Sequence, residues 1–121
     1  MNKIELLWES FHFYTGEIST HEDFHQKSFS LIDIVLQKHI SELTTADFLF
    51  LKEFKRINKL LIHLYNKQNH CLLDIIDYIK NANYVPLVYD TDPKSLQSLI
   101  EINRDLIGQM QTYLHRIEKI P

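Results

Sequence analysis

The stretch "ADFLFLKEFKRINKLLIHLYNKQNHCLLDIIDYIK", residues 46 to 80, decides the fold. It holds neither glycine nor proline. Phe48, Leu51, Phe54, Ile57, Leu61, Leu64 and Tyr65 recur along it at helical spacing. That period marks one face of an amphipathic helix. The difficulty is "NKQNH" at 66–70, a polar run in the middle. Uninterrupted, the helix would be about 50 Å long at about 1.5 Å per residue. The polar cluster predicts a break there, followed by a shorter helix over 71–80.

Upstream, Ile4, Leu7, Trp8, Phe11 and Tyr14 predict a helix over 2–15, with Gly16 as its stop. Ser19 with Glu22 offers a capping box for a second helix reaching about Leu43, whose apolar face would be Phe24, Leu31, Ile32, Val35, Leu36 and Ile40. Thr44 and Thr45, supported by Asp47, cap the next helix. Downstream, Asp92 before Pro93 reads as an N-cap opening a last helix over 93–119. Leu96, Leu99, Asn103, Leu106, Met110, Tyr113, Ile117 and Ile120 form a heptad seam there, widened by Ile100, Ile107 and Leu114. A face of that width suits a bundle. Asn103 on the seam reads either as a hydrogen-bonded core residue or as a register device at a self-association surface.

The expected fold is therefore all-α, a four- or five-helix bundle in a single domain over 1–121. Composition agrees. The chain has 121 residues, 45% of them hydrophobic, and only 2 glycines and 3 prolines, too few turn residues for many short strands. A net charge of −3 gives no global attraction to nucleic acid or acidic membranes. The single cysteine, Cys71, excludes an internal disulfide framework and is expected in the core. The N-terminus lacks the pattern of a signal peptide, and no apolar run approaches the roughly 18 residues of a membrane span, so a cytoplasmic protein is expected.

"HEDFH" at 21–25 fits the pattern H-E-x-x-H, in which two histidines one turn apart hold zinc and the glutamate acts as base. It resembles the zinc metalloprotease motif over those five residues. That family carries the motif behind a sheet, and no sheet is expected here. Asp23 occupies a position the family usually leaves uncharged, and a third ligand would have to come from elsewhere, such as His39 or Glu42. Glu22 and Asp23 read instead as first-turn carboxylates favoured by the helix dipole. No metal and no cofactor are expected.

A second pattern concerns charge. Lys52, Lys55, Lys59, His63, Lys67 and His70 follow one another at spacings of three or four, with Arg56 beside Lys55, a basic stripe of about 27 Å. Only Glu53 interrupts it, and the acids Asp74, Asp77, Asp90, Asp92, Glu101 and Asp105 lie beyond. The stripe suits phosphates or an acidic protein surface, and it is equally what the solvated side of an amphipathic helix looks like. Within it, "RINKLLIH" at 56–63 resembles the HEPN ribonuclease motif, an arginine followed after four to six residues by a histidine, although that family often has a polar residue where this chain has Ile57. The resemblance implies a dimer that cleaves RNA without metal, His63 as acid or base and Arg56 stabilising charge on the phosphate.

The segment "YVPLVY" at 84–89 is apolar for a connection. It would either plug one end of the bundle or present Tyr84 and Tyr89 to a partner. The functional expectation is a small binding module, not an enzyme, that occludes or bridges a protein or ribonucleoprotein partner in the manner of an inhibitor or immunity protein. Its partner-binding residues would be Lys52, Lys55, Arg56, Lys59, His63, Lys67, Tyr84 and Tyr89. The alternative is an RNA-binding or HEPN-like protein using Arg56 and His63. Self-association through the last helix is a further expectation, and no membrane partner is expected.

Overall fold

A computed structural model describes residues 2–82 and 93–120. Among these residues the chain is all-helical: α1 (Lys3–Gln37), a 3-10 turn at Ile40–Glu42, α2 (Thr45–Ala82) and α3 (Pro93–Glu118). The four or five helices expected from the sequence are three long ones here. Cross-helix bonds give their directions. Lys38 meets Asp47, His25 meets Asn58 and Thr15 meets Gln68, so α1 and α2 run antiparallel. Asn103 meets Gln68 while Met110 meets Asn58, so α3 turns back along α2.

The starts of the first two helices follow ordinary capping chemistry. Asn2 accepts from the Glu5 amide at 3.0 Å while Glu5 accepts from the Asn2 amide, a reciprocal box. Thr44 and Asp47 exchange the same pair of bonds at 3.1 and 3.0 Å, as their sequence positions predict. Two expected boundaries are absent. Gly16 lies inside α1, where a Cβ would meet nothing within 4 Å. Ser19 caps nothing: its hydroxyl donates to the Thr15 carbonyl one turn back, as the neighbouring Thr20 hydroxyl does to the Gly16 carbonyl. The stretch 66–70 also stays helical, for a reason that lies in the core.

Three apolar clusters follow one another along the bundle. Ile4 and Trp8 pack with Leu72, Ile75, Ile76, Ile79, Leu96 and Ile100 at one end. Ile18, Ile57, Leu61, Leu64, Ile107 and Met110 fill the middle. Ile32, Val35, Leu51, Phe54 and Ile117 close the other end. Each combines all three helices, which buries a face wider than a two-stranded seam needs. Cys71 is buried and free, as expected.

Between these clusters lie two polar layers. In the first, Asn103 donates to Gln68 Oε1 at 2.7 Å and to Asn69 Oδ1 at 2.8 Å. Gln68 Nε2 donates to Thr15 Oγ1 at 2.9 Å, and Asn69 Nδ2 donates to the Ile100 carbonyl at 3.4 Å. Gln68 and Asn69 are therefore core residues, and "NKQNH" is not a break but one polar turn of a continuous apolar face. Asn103, 2% exposed, is the hydrogen-bonded core asparagine of the two readings open to it. In the second layer, Asn58 donates to the Met110 carbonyl, which aims its Oδ1 at His25 Nε2, 2.7 Å away. That geometry requires the proton of the neutral ring on Nε2.

Candidate partner-binding face

The outer side of α2 carries the basic stripe. Lys52, Arg56, Lys59, His63, Lys67 and His70 are exposed, and Lys55 is half-buried. Arg56 and His63 share this side two helical turns apart, about 10.5 Å along the axis. The stripe is not a uniform row of free cations. Glu53 accepts from Arg56 Nε at 3.1 Å and from its terminal nitrogen at 2.5 Å. The Arg56 hydrogen bond holds the Glu53 carboxyl below its ordinary range, and Glu53 raises the guanidinium in turn. Both side chains are well exposed, so this pair adds little to stability. Among the described residues, Lys52, Lys55, Lys59 and Lys67 have no ion-pair partner.

The stripe has neighbours of different chemistry along the same helix. Phe48 and Leu49 precede it and are 43% and 63% exposed, although the spacing of Phe48 predicts the core face. Asp74 and Asp77 follow it, both exposed. The outer side of α2 thus passes from apolar through basic to acidic. Leu31 and Ile40, expected in the core by their spacing, are also exposed, at 51% and 45%. Tyr84 and Tyr89 lie outside the described residues, as does the whole apolar segment that carries them.

"HEDFH" sits in the interior of α1, not at its start, so the dipole argument for Glu22 and Asp23 does not apply. Asp23 pairs instead with Lys27 on the exposed surface. His25 is 8% exposed, stacked on Phe54 and edge-on to Phe29, with Nε2 already engaged by Asn58. Burial holds its pKa below the ordinary value of 6.5, against the opposing pull of the Asn58 hydrogen bond. Its neighbour one turn back, His21, is half-exposed. Among the described residues no three His, Cys, Asp or Glu side chains gather where they could hold an ion.

No family model, curated protein or solved structure matches the chain. Its function has to be read from the chemistry of its own surfaces.

The stripe is legible in the sequence, because charged residues at helical spacing are visible directly. The exposed apolar residues are not legible there by period alone. Of the nine large apolar side chains exposed among the described residues, five (Leu31, Ile34, Ile40, Phe48 and Leu49) fall between residues 31 and 49. The signal was present in the run Phe48-Leu49-Phe50-Leu51, since four successive apolar residues cannot all face one core. No helix of the described residues is long and apolar enough to cross a membrane.

Proposed function

We propose that the protein is a small helical module that binds a macromolecular partner through the outer side of α2 and acts by occluding or bridging it. The observation that carries this reading is the row of cations from Lys52 to Lys67, all exposed except the half-buried Lys55 and most of them without an ion-pair partner among the described residues. The polar groups of the core, by contrast, are committed to one another. A long helix presents such a row with fixed spacing, so association loses little backbone entropy. A protein or ribonucleoprotein with a complementary acidic surface is the proposed partner, bound inside the cell.

The second reading is an RNA-directed protein, including HEPN-like cleavage by Arg56 and His63. It is favoured by the exposure of His63 on the same side as Arg56. In that reading Glu53 must release Arg56 to a phosphate. Arg56→Ala and His63→Ala would then each abolish metal-independent RNA cleavage without changing the fold.

One experiment separates the readings. Lys52→Glu, Arg56→Glu and Lys59→Glu are combined, and affinity for total cellular RNA and for captured proteins is measured at several salt concentrations. With a phosphate partner, the salt slope falls by about one unit for every phosphate that a reversed side chain no longer neutralises. With an acidic protein partner, association slows while RNA retention is unchanged. Unaltered binding to every partner overturns the proposal.

A further inference from the structure

Where the stripe begins, a groove of about 340 Å³ opens between α2 and the end of α3. Its lining is Phe48, Leu51, Lys52, Lys55, Ile117 and Ile120, with Glu118 on the α3 side. Leu51 and Ile117 form a buried apolar floor, while Phe48 and Ile120 are partly open to solvent. Two lysines without ion-pair partners among the described residues rise along the α2 wall. The groove opens at the end of the bundle where α1 passes through the 3-10 turn into α2, the stretch that holds five of the nine large apolar side chains exposed among the described residues.

From this combination we infer that the groove is the seat for an acidic amphipathic helical segment of a partner protein. The inference rests on the partner-binding reading above and narrows it to a ligand class and a place. Apolar side chains of the segment, recurring every three or four residues, would replace water over Phe48, Leu51, Ile117 and Ile120. Carboxylates on its flank would face Lys52 and Lys55 and set its direction, because Glu118 places a carboxylate on the opposite wall. A nucleic-acid backbone suits this groove badly, since phosphates would lose hydration against an apolar floor. Such a strand fits the polar middle of the stripe, from Lys59 to His70, instead.

The test uses the full chain, isotope-labelled, and three probes: a synthetic helical peptide with leucines on one face and glutamates on its flank, the same peptide with lysines for glutamates, and a single-stranded RNA. Amide shifts map the site, and fluorescence anisotropy measures affinity. The acidic peptide is expected to shift the amides of 48–55 and 117–120. It should lose at least tenfold in affinity with Lys52→Glu plus Lys55→Glu, and again with Phe48→Ser plus Ile120→Ser. The lysine peptide should bind the double reversal at least tenfold better than it binds wild type, a rescue that misfolding could not produce. Acidic-peptide binding no tighter than that of the lysine version overturns the inference. So does tighter occupation of the groove by the RNA. Peptide binding that depends on Lys59, His63 and Lys67 but ignores Phe48 and Ile120 overturns the groove while the wider face stands. No binding at either place overturns both.

Discussion

The side-chain amide of Asn103 on α3 donates to Gln68 Oε1 on α2 at 2.7 Å, inside the bundle and closed to solvent. This bond links two features that the sequence presents as unrelated: a polar residue on the seam of the last helix and a polar run in the middle of the long one. Each makes the other tolerable in the core. Asn103 reaches Asn69 with its second proton, and Thr15 completes the amide of Gln68 from α1. A buried polar set of this kind is stable only if its members are satisfied together.

Asn103→Leu strands two buried acceptors, Gln68 Oε1 and Asn69 Oδ1. It should destabilise the protein by about 2–4 kcal/mol, read from urea unfolding. Adding Gln68→Leu and Asn69→Leu should destabilise by less than the sum of the three single changes, because the orphaned groups leave together. Additive losses would show that the three residues do not act as one network.

Gly16→Ala separates the continuous helix from the broken one. Inside α1, where the added Cβ has open space, alanine should raise stability by about 0.5–1 kcal/mol. At a helix stop in the left-handed region, the same change would lower it. A raised thermal midpoint in Gly16→Ala is therefore the expected result.

His25 makes stability depend on pH in a stated direction. Its folded pKa lies below 6.5, because burial penalises the charged ring. The unfolded chain then binds the proton more readily than the fold does. The contribution is complete above pH 6.5 and is lost as pH falls from there through the folded value. Unfolding free energies of wild type and His25→Leu, measured between pH 5 and 8, should converge toward acid. At pH 8 the variant should be less stable by about 1–3 kcal/mol, since Asn58 loses its donor.

Zinc should do little. Protein purified without a histidine tag is expected to carry no stoichiometric zinc in a metal analysis. His21→Ala, on a half-exposed side chain, should change stability by less than about 0.5 kcal/mol. Tight binding of one zinc per chain, lost in both His21→Ala and His25→Ala, would reverse the reading of "HEDFH".

What the amino-acid sequence determined by itself is the helical class, the start of α2 at Thr44, the opening of α3 at Pro93 and the basic row on α2. Each of these depends on residues within a turn or two of one another. Period, capping side chains and charge spacing are local facts, and local physics is sufficient to read them. The helix count, the burial of Gln68, Asn69, Asn58 and His25, and the groove beside Phe48 were decided only by the tertiary structure. A polar side chain on an apolar face ends a helix when nothing meets it and continues one when a partner does. The partners of Gln68 lie 35 and 53 residues away in the chain, on different helices. Likewise, which of Phe48, Leu49, Phe50 and Leu51 reach the core depends on how α1 and α3 cross α2. Periodicity within α2 cannot report that, because a helix has a continuous surface and its neighbours choose which part of it is covered.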